Sequence, residues 1–155
     1  MDLSRLTNIE AEGDAPREAS FLGDAFAEDW ERIERYAARR RFVRGEEIVS
    51  EGEVDRSLLV VLRGELEFVA AGSAGEERLL SVVTGPTLVG EVAFFDPGPR
   101  SGSLRARSDG ELLRLSFEQF EALSGSSPSL ARTILLEAGR IVAMRLRRAT
   151  SQLAD

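Results

Sequence analysis

Between Arg41 and about Ser116 the chain is a series of short β-prone runs, each followed by a break: RFVRG, EEIVSEG, SLLVVLRG, ELEFVAAG and RLLSVVTG. Gly45, Gly52, Gly64, Gly72 and Gly85 each fall where a strand should end, as turns that need positive φ demand. Short strands at even spacing predict an antiparallel sandwich or jelly roll. SLRARS and ELLRLS continue the series, joined by Asp109-Gly110, a dipeptide that predicts a hairpin.

Helical periodicity flanks this block. From Phe21 to Ala38, apolar residues Phe26, Trp30, Ile33 and Tyr36–Ala37 recur at spacings of three and four, which predicts an amphipathic helix. Residues 1–20 read as a flexible polar tail, with Gly13 and Pro16 breaking any pattern. FEQFEAL, from Phe117, predicts a short helix ended by the Ser124–Ser127 loop. Pro128 suits the first position of a helix and opens a long one that runs to about Leu153. The fold class is therefore α+β: an antiparallel β jelly roll flanked by an N-terminal helical segment and C-terminal helices, one domain over residues 21–155. A chain of 155 residues can bury one sizeable core and has no room for two ordinary domains.

What the chain lacks narrows its chemistry. It contains neither cysteine nor histidine. Thiol nucleophiles, thiolate metal sites, the commonest zinc ligand and the Ser-His-Asp triad are all excluded. Enzymes on similar β scaffolds depend mainly on histidine metal ligands, so no enzyme and no metal are expected. A net charge of -7 argues against non-specific nucleic-acid binding. All 20 basic residues are arginine; Arg132, Arg140, Arg145, Arg147 and Arg148 gather near the C-terminus and read as a solvated helix face. No window approaches the ~18 apolar residues of a membrane span, and Met1–Glu12 lacks the pattern of a signal peptide. The expected location is cytoplasmic.

One stretch, GEVAFFDPGPRSGS from Gly90 to Ser103, does not read as ordinary packing. Arg100 sits among Pro99, Ser101, Gly102 and Ser103, where nothing bulky shields its guanidinium, a planar fork suited to phosphate oxygens. Gly90–Phe95 predicts a short helix. Glu91 at its start accepts hydrogen bonds only, which suits a sugar 2′-OH. The combination asks for a compact ligand with one phosphate and a neighbouring hydroxyl. A cyclic nucleotide fits.

These residues resemble the phosphate-binding cassette of the cyclic nucleotide-binding domain family, found in bacterial catabolite activators and in the regulatory subunits of cyclic AMP-dependent protein kinase. The cassette reads Gly-Glu-hydrophobic-Ala and then Pro-Arg-small-small-Ser/Thr, matched by Gly90–Ala93 and Pro99–Ser103. RFVRGEEIVSEG resembles the family's first strands, SLLVVLRGELEFV its central hairpin, and ELLRLSFEQFEAL its exit into C-terminal helices. The resemblance covers about Phe21 to Ala149. It implies that Glu91 accepts from the ribose 2′-OH. Arg100 would pair with the phosphate, helped by the Ser101 hydroxyl and the amides of Ser101 and Gly102. Gly90 and Val92 would give backbone contacts, and Leu80 and Ser81 would wall the purine. Gly102 stands where alanine is common, which is expected to loosen the loop. Phe94-Phe95 replaces a smaller pair, is expected to be core, and would narrow the pocket.

The implied ligand is cyclic AMP or cyclic GMP, with cyclic AMP favoured and no further cofactor. Beyond the stretch that carries the resemblance only Ser151–Asp155 remain, so no DNA-binding domain is expected. The chain then reads as a stand-alone sensor that signals through helix rearrangement to an unidentified protein partner or to a second copy of itself. The alternative is a degenerate roll that serves only protein interaction. Pro128–Leu153 carries more apolar residues than one stripe needs, with Leu135, Ala138, Val142 and Ala149 on a seven-residue pattern beside an Ile134, Ala138, Ile141 row. That pattern, interrupted by Arg145, predicts a lid helix and a weak homodimer.

Overall fold

The computed structural model describes residues 29–154. The expected tail and the first part of the helix expected from Phe21 lie outside the described residues. What is described begins with α1 (Trp30–Tyr36), whose Ile33 is buried. Eight strands follow, interrupted by one short helix: β1 (Ala38–Phe42), β2 (Glu47–Val49), β3 (Ser57–Arg63), β4 (Glu65–Ala71), β5 (Glu77–Thr84), β6 (Thr87–Val89), α2 (Glu91–Phe95), β7 (Ser103–Ala106) and β8 (Gly110–Ser116). Two helices close the chain, α3 (Phe117–Ser126) and α4 (Pro128–Ala154).

The strands form two four-stranded antiparallel sheets, ordered β1-β8-β3-β6 and β2-β7-β4-β5. β3 shows why SLLVV is apolar without alternation. Leu59 and Val61 enter the core between the sheets with Phe42, Leu66, Leu104 and Leu112. Leu58 and Val60 face the other way, into a core shared with α1, α3 and α4 through Ile33, Leu123, Ile134, Ala138 and Ile141. A strand buried on both faces has no polar positions to spare. The first sheet is thus the middle layer, and the helices lie on its outer face.

Sheet membership corrects two hairpin readings. β3 and β4 meet at Gly64 but lie in different sheets, so SLLVVLRGELEFV is a crossover. The hairpin is instead β4–β5. Asp109-Gly110 likewise joins β7 of one sheet to β8 of the other. Its residue types serve other purposes: Asp109 Oδ1 accepts from the Arg44 amide at 2.9 Å, and a β-carbon on Gly110 would run into Arg63 O and the Phe42 ring. Glycine is used there for close approach. Positive φ is found at Gly45, Gly52 and Gly64 but not at Gly72 or Gly85. The three-residue β6, directly after the Gly85-Pro86 break, carries too short a pattern to read from sequence.

Helix limits shift as well. β1 begins at Ala38, three residues before the expected start, which ends the N-terminal helix at Tyr36. α3 opens on a capping box: Ser116 Oγ accepts from the Gln119 amide at 3.1 Å, and Gln119 Oε1 accepts from the Ser116 amide at 2.8 Å. It continues through Ser124–Ser126, expected as loop, and breaks only at Ser127. The residue before a proline is driven out of the α region, so Pro128 sets the boundary rather than the serines. α4 buries Leu130, Ala131, Ile134, Ala138, Ile141 and Ala149, while Leu136 and Leu146 stay 62% and 52% exposed.

Candidate functional site

The cassette is held by its backbone before any side chain contributes. Arg100 donates its amide to Glu53 O and accepts from the Gly52 amide, both at 2.8 Å, and Ser103 Oγ accepts from the Glu51 amide at 2.9 Å. The loop end is therefore pinned to the turn before β3. Its other end is α2, capped by Gly90 in the left-handed region at φ +81°. A β-carbon on Gly90 would stand 2.9 Å from both Arg100 Nη1 and Ser57 O. Glycine meets two demands here, a left-handed φ and room for the guanidinium.

Arg100 and Glu91 are each only 8% exposed, unusual burial for charged residues. Arg100 Nη2 donates to Ser57 O at 3.0 Å and Nη1 to Gly90 O at 3.3 Å, with Asp55 Oδ2 3.7 Å away. Nε is buried and has no hydrogen-bond partner among the described residues. Burial pushes the Arg100 pKa down, against the pull of Asp55, Glu53 and Glu91. At a guanidinium this leaves the positive charge in place near neutral pH. Asp55 is the counter-ion. Partial burial raises its pKa, but hydrogen bonds from Ser57 Oγ at 2.7 Å and Arg114 Nη2 at 2.9 Å, with the Arg114 and Arg100 charges, outweigh that and lower it.

Glu91 is held from the far end of the chain. Arg145 on α4 donates from Nη1 to Glu91 Oε1 and from Nη2 to Leu88 O, each at 2.7 Å. This corrects the expectation of a solvated arginine face at Arg145, which sequence reasoning also treated as an interruption of an apolar row: its side chain is only 15% exposed and pairs with Glu91. The signal was present: Arg145 lies four residues beyond Ile141 on the face that also carries Ala138, both fully buried, and a charge on a buried face asks for a partner. Asp55 was missed too, since a lone acid ahead of a strand carries no pattern.

The remaining candidates fall in three places. Val92 is exposed, and its carbonyl accepts from the Asp96 amide at 2.8 Å. Ser101 is exposed beside Arg100. Gly102 corrects the expectation of a loosened loop: a β-carbon there would stand 2.6 Å from Phe68 Cε2 and from Val69 O. The loop lies so tightly on β4 that alanine would not fit without movement. Leu80 is buried and Ser81 half-buried on β5, at a register shift where Phe68 pairs Ser81 and Val69 pairs Leu79. They sit one strand beyond the Gly102 contact and share no hydrogen bond with Glu91 or Arg100. Phe94 is core, as expected, while Phe95 stays 41% exposed. A cavity of about 400 Å³ between α1 and the α3–α4 turn, lined by Arg35, Tyr36 and Ser127, includes none of these residues.

Residues 39–127 match the cyclic nucleotide-binding domain family. The chain is 32% identical over 118 residues to the cyclic AMP receptor protein of Thermus thermophilus, covering 76% of this chain and 53% of that protein. It is 28% identical over 114 residues to the CRP-like cAMP-activated global transcriptional regulator of Mycobacterium tuberculosis, covering 74% of this chain and 49% of that one. The chain thus spans about half the length of these curated relatives. The crystal structure of the Thermus thermophilus catabolite activator protein superposes with a TM-score of 0.74 at 28% identity, over 88% of this chain and 62% of that one. Two antiparallel sheets, flanking helices and a Gly-Glu…Pro-Arg cassette accord with the match, and the chain belongs to the cyclic nucleotide-binding domain family.

Proposed function

We propose that this protein is a sensor for a 3′,5′-cyclic purine nucleotide, cyclic AMP in preference to cyclic GMP, and that it signals through movement of α4. The observation that carries the reading is the buried Arg100 guanidinium, whose Nε has no hydrogen-bond partner among the described residues. A phosphate oxygen supplies the charged acceptor that an unpartnered donor asks for. Ser101 and the amides of Ser101 and Gly102 border the same phosphate, and Gly90 and Val92 contribute backbone. Glu91 receives the ribose 2′-OH, and Leu80 and Ser81 stand on the base side.

Arg145 links occupancy to output. A ribose hydroxyl on Glu91 shares or displaces the Arg145 hydrogen bond, and Arg145 is where α4 grips the cassette. The signal passes to a protein partner or to a second copy of the chain. Calorimetric titration with cyclic AMP and cyclic GMP tests the reading directly. Heat is expected with both and tighter binding with cyclic AMP; no heat from either at high micromolar concentration overturns it and leaves a degenerate interaction module.

Glu91→Gln tests the ribose contact. The amide keeps an acceptor oxygen but loses the charge that makes such bonds roughly twice as strong, so cyclic AMP binding weakens modestly. Wild type should bind 2′-deoxy cyclic AMP poorly, and the variant should hardly distinguish the two ligands. Equal affinity of wild type for both would remove Glu91 from the ribose site.

A second copy has a surface to meet. Of the expected row Leu135, Ala138, Val142 and Ala149, the two alanines are buried, so the apolar surface left on α4 is Leu135, Leu136 and Leu146, with Val142 half-buried among them. Sedimentation should show a weak dimer that nucleotide strengthens or loosens, and Val142→Glu should abolish it. A monomer at high micromolar concentration, with and without nucleotide, would rule the dimer out.

A further inference from the structure

We infer that Arg56 is the positioning residue that couples the cassette helix α2 to the exit helix α3, setting the helix response to nucleotide rather than nucleotide affinity. Its Nε donates to Phe94 O at 2.7 Å, and its guanidinium carbon lies 3.5 Å from the centroid of the Phe117 ring. Phe94 is in the last turn of α2, and Phe117 is the first residue of α3. A five-residue helix cannot satisfy its own last carbonyls, so the hydrogen bond from Arg56 completes α2. The face of the same guanidinium is spent on the ring at the base of α3. One planar group therefore ties both helices to the start of β3.

Arg56 also occupies a particular place in the chain. Its neighbours on both sides hold Arg100: Asp55 through its carboxylate and Ser57 through its carbonyl. A phosphate that draws the Arg100 guanidinium away from these two acceptors acts on the residues either side of Arg56. Apolar contact joins α2 and α3 as well, with the Phe94 ring 5.7 Å from that of Phe117 and 5.3 Å from that of Phe120. Such contacts permit sliding, whereas a hydrogen bond with a stacked guanidinium fixes both distance and angle. Lysine can offer the charge but not the flat face and the Nε–H together.

The coupling role rests on the sensor reading only for its ligand arm, so the experiment has two arms. Without ligand, hydrogen exchange in Arg56→Ala should quicken roughly five- to tenfold together at the end of α2 and the start of α3, with the sheet amides unchanged. With cyclic AMP, calorimetry should give an affinity close to wild type. The fluorescence change of Trp30, the only tryptophan and packed against the core that holds Phe120 and Leu123, should fall to a small fraction of its wild-type amplitude. Arg56→Lys should restore little of either. A full Trp30 response in Arg56→Ala, a loss of affinity in step with the loss of response, or unchanged ligand-free exchange would each overturn the assignment. If Arg56→Ala does not fold, Phe117→Leu removes the same contact from the ring side and is read in the same way. If wild type binds no cyclic nucleotide, the sensor reading fails alone, and the exchange arm still decides whether Arg56 ties α2 to α3.

Discussion

Arg100→Ala is expected to weaken cyclic AMP binding by about 2–5 kcal/mol, since it leaves a phosphate without its charged partner. At 1.4 kcal/mol per decade that is a loss of roughly 30- to 4,000-fold, readable by calorimetry. The fold should survive, because the loop is pinned by the Arg100 backbone, which alanine retains, through Glu53 O and the Gly52 amide. Side-chain partners lost in the variant are two backbone carbonyls and a 3.7 Å approach to Asp55. Arg100→Lys should recover only part of the affinity, since a single ammonium lacks the planar fork of N–H donors that matches phosphate oxygens. A melting curve beside each titration separates lost affinity from lost structure. Wild-type affinity in folded Arg100→Ala would mean that the ligand sits elsewhere, even with the sensor reading intact.

The features that sequence made legible are those with a local cause. Glycine-punctuated β runs and Pro128 at a helix start act over a few residues, and the structure places strands and the start of α4 where those patterns predict. Sheet assignment is not local. A strand end followed by Asp-Gly reads alike whether the chain folds back in its own sheet or crosses to the other, and the strand partners that decide it are distant in sequence: β8 pairs with β1 and β3, and β7 with β2 and β4. The same limit applies to the site. Gly90, Glu91 and Arg100 lie within eleven residues and form one motif, whereas Asp55 lies 45 positions before its partner Arg100 and Arg145 lies 54 positions after its partner Glu91. Gly102 was misjudged for a related reason: a missing side chain reads as freedom in sequence, and only the Phe68 ring beside it turns it into a constraint.

Phe94→Ala is expected to carry the largest stability cost. Phe94 is 2% exposed and is the side chain through which α2 enters the core shared by β3, β8, α3 and α4. Its ring packs edge-on to Phe120 at 5.3 Å and to Phe95 at 5.6 Å, and tilted on Phe117 at 5.7 Å. Removing it forfeits the transfer energy of the ring and leaves a cavity that rigid neighbours fill only in part, for a total of about 3–5 kcal/mol. Against a typical 5–15 kcal/mol for a whole domain, that is a large share. The melting temperature should drop by about 10–15 °C. Because the same five residues carry Glu91 into the cassette, lost packing should also unseat the ribose contact and weaken cyclic AMP binding in the surviving folded fraction. Phe94→Leu separates the two effects, since it keeps most of the volume and should recover most of the stability. If Phe94→Ala melts within a degree or two of wild type, α2 is not anchored through this ring, and its hold on α3 must come from Arg56 alone.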